Sequence, residues 1–351
     1  MYRHSIPVNY SLAGTLWQGY EPADLLFFDI ETTGFLASSS SLYLIGAVTW
    51  QDGRWMMTQW LAQTPSEEDQ ILKDFLSFAG DYRQIVHFNG DRFDLPYLNE
   101  KCSVYGLSNS LSRLISRDLY RTIRPLKKLL NLSALNQRSL EEWLGLQRED
   151  PYDGGELISV YKQYAKVPSE EALHSLLLHN QNDLEGMLAL LPILSYLSIP
   201  NGSFRVENCE IAEDALLVYA RLALSLPRTF SYQNDFLYVT GSNDRIAFKV
   251  KGLQGTLKYF YKDYKNYCYL PEEDIAIHKS VAAFVDAKYR EPAKASTCFG
   301  KKEGFYLPQK EAVFTPVFQK EYKSRPYYFA CKEQFPGTRE ELHDYLVELM
   351  A

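Results

Sequence analysis

At 351 residues the chain is longer than one hydrophobic core usually serves, so two domains are expected. Apolar residues make up 46% and charged residues 23%, which excludes a disordered or fibrous protein; five scattered cysteines with no C-x-x-C pair exclude a disulfide framework and a zinc site and point to a reducing, cytoplasmic setting. The formal net charge of −7 argues against a protein that coats nucleic acid indiscriminately, and the acidic excess lies before Pro200.

Residues 1–23 read as an N-terminal extension. They lack an apolar stretch followed by a small-residue cleavage site, so no secretory signal is expected, and no segment is long and apolar enough to imply a membrane partner. LLFFDIETTG, from Leu25 to Gly34, begins as a continuous apolar run, the pattern of a strand buried on both faces, and ends in polar residues. LYLIGAVTW and RWMMTQWLA flank Gln51-Asp52-Gly53, a hairpin signal, so three successive antiparallel strands are predicted. A helix follows Thr64-Pro65-Ser66 and stops near Gly80; QIVHF is then a short buried strand broken at Asn89-Gly90. Further helices are predicted over about 94–105, 140–145 and 155–166, and a long one from Ser169 to about Leu197 that Pro192 kinks or ends. Ile199 to Ser203 is the best linker, which gives a domain over 24–200 and a second over 201–351.

The second half has a different texture. ALLVYARLALSL reads as a strand, FLYVT and RIAFKVK as a hairpin, and LKYFY and YCYL as another hairpin across KDYKN; EEDIAIHKSVAAFVDAKY is predicted to be an amphipathic helix. Thr338 and Glu341 form a capping box for the last helix. Tyr259, Phe260, Tyr261, Tyr264, Tyr267 and Tyr269 alternate with lysines, which fits either bases stacked on a hairpin or an ordinary sheet core; the core reading is preferred. Basic residues outnumber acidic ones from Asp286 to Lys332. The whole reads as a smaller β-rich α+β accessory domain, with substrate clamping as one role.

Three short motifs carry chemistry. In an extended strand side chains alternate, so Asp29 and Glu31 point to one face at the polar end of a buried strand, where a carboxylate pair is costly unless compensated. In HFNGDRFDLPYL, Asp94 opens a helix, with an N-cap as its ordinary structural role. In HNQNDLEGM, His179 and Asp183 stand four apart on one helix face, a spacing that surface ion pairs share.

In order, composition and spacing these motifs resemble those of the DEDD (DnaQ-like) 3′–5′ exonuclease superfamily. The segment SLEEWLGLQREDPYDGGELISVYKQY is similar to the YprB-type RNase H-like domain. The resemblance covers about residues 24–199. It implies an α/β RNase H-like fold, a mixed sheet with three antiparallel strands flanked by helices. It also implies two divalent cations, Mg²⁺ or Mn²⁺, that support hydrolysis of phosphodiester bonds in single-stranded DNA or RNA. Asp29 would bridge both ions, Glu31 and Asp183 would complete the first, and Asp94 would hold the second, largely through water. One branch of the superfamily places a tyrosine four residues before the last aspartate and another a histidine five before it; His179 stands at the tyrosine spacing and is expected to handle the attacking water as base or as orienting group. Thr32, Asn89 and Phe93, inside the same motifs, are expected to contact substrate. Asp118 is read as supporting rather than ligating. The nearby Arg117, Arg121, Arg124, Lys127 and Lys128 fit either a phosphate track or a solvated face. The implied partner is nucleic acid, as single strands or 3′ ends. A nucleic-acid-binding protein with a weak or inactive nuclease domain, and a small-nucleotide phosphodiesterase, are the competing classes.

Overall fold

The computed structural model of the chain describes residues 1–10, 21–147, 154–212, 214–331 and 337–350. The middle of the 1–23 segment, the stretch Arg148–Asp153 within the region of resemblance, and Lys332 lie outside the described residues. The chain divides into two compact units, Met1–Ser195 and Tyr196–Ala351. Among the described residues no helix is long and apolar enough to cross a membrane.

The first unit is built on β1 (Tyr2–Val8), β2 (Leu25–Thr32), β3 (Leu42–Gln51) and β4 (Arg54–Leu61), then α1 (Glu68–Ala79), β5 (Gln84–His87), α2 (Asp94–Tyr105), β6 (Ile115–Asp118), α3 (Leu119–Ile123), α4 (Leu126–Leu129), α5 (Gln137–Leu144), α6 (Gly154–Tyr164) and α7 (Glu170–Leu190). Its six strands form one mixed sheet in the order β1-β4-β3-β2-β5-β6. The first three contacts in that order are antiparallel and the last two parallel. The β3–β4 turn takes positive φ at Asp52 (47°) and Gly53 (79°), the hairpin geometry its sequence announces. The start of the 1–23 segment is not a free extension, because Tyr2–Val8 pairs with β4 along the sheet edge. Its alternating half-buried and exposed pattern is that of a strand covered on one face.

Alternation along β2 sorts the core into two layers. Leu26, Phe28 and Ile30 face a cluster with Ile71, Leu72 and Phe75 of α1 and Leu98 of α2. On the α6 and α7 side, Tyr43, Leu44 and Leu61 pack with Leu157, Tyr161 and Leu176. Asp29 and Glu31 have the opposite parity to Ile30. The long helix α7 starts on the Ser169 cap, whose side chain accepts from the Ala172 N–H, and its α-bonding gives way to a 3₁₀ stretch, Leu191–Ser198, around Pro192.

The second unit contains β7 (Phe204–Ala212), β8 (Ala215–Leu222), β9 (Phe230–Gln233), β10 (Leu237–Ser242) and β11 (Arg245–Lys251) in a sheet ordered β7-β8-β11-β10-β9. There follow β12 (Leu253–Phe260), β13 (Tyr267–Leu270), β14 (Ile275–His278), α8 (Lys279–Ala282), β15 (Glu291–Pro292), β16 (Phe299–Gln309), β17 (Tyr327–Ala330) and α9 (Arg339–Met350). The β10–β11 hairpin and the Thr338–Glu341 capping box form as expected, the latter with two reciprocal bonds of 3.1 Å. Two expectations fail. β12 pairs with β16 and not with β13, which lies between β14 and β15. The predicted helix over 272–289 is instead β14, the short α8 and a 3₁₀ turn, because a turn with Asp274 at φ 51° folds Ile275–His278 back onto β13. Strand pairing overrides the local helical period there. The tyrosine-rich run packs largely on itself, with the Tyr261 and Tyr267 rings stacked at 4.7 Å.

Candidate active site

The site is assembled from the end of β2, the start of α2 and one face of α7. Asp29 and Glu31 are half-buried at the end of a strand whose preceding four residues are fully buried. Asp94 is only 7% exposed. It is the first residue of α2 rather than its cap, which is Phe93 and has no side-chain cap bond. Asp183 lies one turn of α7 beyond His179. His179 Nε2 sits 3.6 Å from Glu31 Oε1 and 3.4 Å from Asp183 Oδ2, so imidazole and two carboxylates from separate elements share one small space.

The electrostatics bind all four acids into one group. Burial pushes Asp29 well above the ordinary carboxylate range, and the charges of Asp183, Glu31 and Asp94 push it further; the Asn180 amide pulls the other way. Burial raises Glu31 strongly, with Asp183 and Asp94 adding to it. Burial lifts Asp94 to about 7, against hydrogen bonds from its own backbone and that of Ile30, while Asp118 and Asp183 raise it. Tyr43, driven well up by burial and by Glu31, keeps its proton and donates to Glu31 Oε2 at 3.5 Å. Carboxylates this close, mostly withdrawn from water, cannot all ionise without a compensating positive charge. Their oxygens are the donors that hard divalent cations take.

A second acidic group stands at the ends of the neighbouring strands: His87, Asp91 and Asp118. Here hydrogen bonds hold most of the network, while Asp118 Oδ2 is buried with no hydrogen-bond partner among the described residues. His87 Nδ1 accepts from the Gly90 N–H at 3.0 Å, so the proton of the neutral ring is on Nε2, which faces Ser116 Oγ at 2.8 Å. Burial holds His87 neutral, below its ordinary value, despite Asp118 and Asp91. Ser116 Oγ and Arg121 Nη1 each donate to Asp91 at 2.7 Å. Asp118 caps α3 and accepts from the Asn89 N–H at 2.9 Å. With one ring nitrogen accepting and the other donating, His87 has no lone pair for an ion.

The remaining expected residues are placed as follows. Thr32 Oγ1 donates to the Gly34 carbonyl at 2.9 Å and so shapes the β2–β3 loop. Asn89 holds a left-handed φ of 62° at the end of β5. The Phe93 ring meets Phe35 edge to face at 6.0 Å, and Phe35 is 88% exposed. Arg117, Arg121, Arg124, Lys127 and Lys128 are all exposed, and Arg121 is bound to Asp91. Sequence reasoning passed over Phe35, Asn180 and Gln59. A polar Gln59 inside the buried strand RWMMTQWLA was the available signal for the last of these.

Residues 26–195, just under half of the chain, match the family model of the RNase_H superfamily. Over 178 residues the chain is 28% identical to the uncharacterized protein YprB of Bacillus subtilis (strain 168), a match covering 49% of this chain and 42% of that protein. Among solved structures, the family B DNA polymerase of the hyperthermophilic archaeon Pyrobaculum calidifontis aligns with a TM-score of 0.41 at 16% identity, covering 70% of this chain and 35% of that one. An ExoI/SSB-Ct complex aligns at 0.29 and 14% identity, covering 62% and 55%.

Proposed function

We propose that the RNase H-like domain is a DEDD-type, two-metal-dependent 3′–5′ exonuclease acting on single-stranded DNA or RNA. The supporting observation is the convergence of Asp29, Glu31, Asp94 and Asp183, from three separated stretches, into one mutually repelling carboxylate group beside His179. Asp29, Glu31 and Asp183 would hold one cation, and Asp94 with Asp29 the second. Bound there, two ions would activate water and stabilise the leaving oxygen of the phosphodiester.

The chain's own groups supply the rest. His179 Nε2, facing Glu31 and Asp183, is within reach of a water held by those carboxylates and takes or orients its proton. Tyr43 keeps Glu31 in place by donation. Exposed Phe35 against Phe93 offers an aromatic surface on which an unpaired terminal base can stack, and this favours a single-stranded end as substrate. Thr32 and Asn89 are proposed to contact the strand from the adjoining loops. The second unit is proposed as an accessory, substrate-clamping domain.

Oligonucleotides of DNA and RNA labelled at the 3′ or 5′ end, digested with Mn²⁺ by wild type and Asp94→Asn, test this reading. Stepwise shortening from the 3′ end that Asp94→Asn loses supports it. Binding without cleavage replaces it with the nucleic-acid-binding class, and turnover of free nucleotides alone with a small-nucleotide phosphodiesterase.

A further inference from the structure

Across β2, β3 and β4 the residues Asp29, Gly46 and Gln59 stand directly opposite one another, so they form a row on one face of the sheet. The middle place in that row has no side chain. Into the gap α7 inserts Asn180, which is fully buried. Its Nδ2 donates to Asp29 Oδ2 at 3.0 Å, and its Oδ1 accepts from Gln59 Nε2 at 2.9 Å. The fit is tight: a Cβ at Gly46 would come within 2.0 Å of Asn180 Oδ1 and 2.6 Å of Leu184.

The sense of the Asn180 amide is set from the far end of the row. Gln59 Nε2 also donates to the Leu177 carbonyl at 2.9 Å, and this second acceptor fixes which end of the Gln59 amide faces α7. With Gln59 donating, Asn180 must present its oxygen to Gln59 and its NH₂ group to Asp29. A buried donor aimed at one oxygen of Asp29 restrains the carboxylate's rotation.

We infer that Asn180 is a positioning residue, which orients the Asp29 carboxylate for cation binding, with Gln59 fixing the direction of its amide and Gly46 making the space for it. The inference rests on Asp29 being a cation ligand, as proposed above. Groups that hold a ligating carboxylate typically change metal affinity about 10- to 100-fold when removed. Asn180 is fully buried, out of reach of an oligonucleotide, so its loss should act on cation affinity and kcat and leave KM for the oligonucleotide nearly unchanged.

The test is Mn²⁺ titration of the full chain, followed by the paramagnetic signal of free Mn²⁺, for wild type, Asp29→Ala, Asn180→Leu, Gln59→Met and Gly46→Ala. Asn180→Leu, and Gly46→Ala whose Cβ displaces the amide, should each weaken Mn²⁺ binding about 10- to 100-fold, with Gln59→Met weakening it less. Wild-type affinity in folded Asn180→Leu, with only a lower cation-free melting temperature, overturns the inference in favour of a purely structural amide. If wild type binds no more Mn²⁺ than Asp29→Ala, the nuclease reading itself fails, a different outcome. Wild-type protein labelled with ¹⁵N at asparagine covers the case in which the variants misfold. The Asn180 side-chain amide should resist exchange with water and shift when Mg²⁺ is added; an amide that exchanges like a surface asparagine and ignores Mg²⁺ also overturns the inference.

Discussion

Two acidic groups stand at neighbouring strand ends of the first unit, and they satisfy their charge in opposite ways. Around His87 every strong partner is a hydrogen-bonding one: Gly90 and Ser116 for the ring, Ser116 and Arg121 for Asp91, Asn89 and the α3 N-terminus for Asp118. Although burial works against it, these contacts hold Asp91 below the usual carboxylate range. Around Asp29 the charges that weigh most are other carboxylates, and the group is pushed up instead. A cluster of acids by itself therefore says little; what its members face, hydrogen-bond donors around Asp91 and other carboxylates around Asp29, distinguishes the two groups.

The contrast can be broken by experiment, and the largest effect belongs to activity. Asp29→Ala should lower exonuclease turnover by about 10⁴-fold, measured on a labelled oligonucleotide with saturating Mn²⁺; retention of more than a tenth of the rate would detach Asp29 from the chemistry. Next comes His179→Tyr, expected to cost about 100-fold and to remove the acid limb of the pH–rate profile. Identical acid limbs in the two proteins would exclude His179 as the base and leave it an orienting role.

Cation binding should also appear as stability. Mg²⁺ or Mn²⁺ at a hundred times its dissociation constant should stabilise wild type by about 2.7 kcal/mol, with much less effect on Asp29→Ala in thermal unfolding. Equal shifts in the two would count against cation binding at the Asp29 carboxylate group. Without cations the pH dependence should run downward. Asp29, Glu31 and Asp94 have raised folded-state values, so between the ordinary carboxylate range and about 7, the Asp94 value, the native state holds more protons than the unfolded one. The Asp94 contribution is present at acid pH and lost as pH rises through about 7, those of Asp29 and Glu31 fall with pH in the same direction, and divalent cations should flatten the decline. Melting scans with a chelator from pH 4.5 to about 8 read the slope; stability rising across that interval would reverse the electrostatic picture.

The smallest effect belongs to the other network. Arg121→Ala removes an exposed partner of Asp91 and should alter the melting temperature only slightly, leaving the Mg²⁺-induced shift as in wild type. A lost Mg²⁺ response in that variant would merge the two groups that their hydrogen bonding separates.

What was legible in the sequence was local. The Leu25–Phe28 run followed by alternating Asp29 and Glu31 announces a buried strand with an acidic end, because strand parity follows from the backbone alone. The β3–β4 and β10–β11 turns, and the capping of α7 and α9, depend on residues a few positions apart and were equally readable. Tertiary structure decided the rest. Tyr2–Val8 joins the sheet edge, β12 chooses β16, and Ile275–His278 becomes a strand, because antiparallel partners are selected by packing between distant segments that no local period encodes. The seating of Asn180 between Gln59 and Asp29 is of the same kind. Each residue is ordinary in its own segment, and only the register of three strands beneath one helix brings the amides and the carboxylate into line.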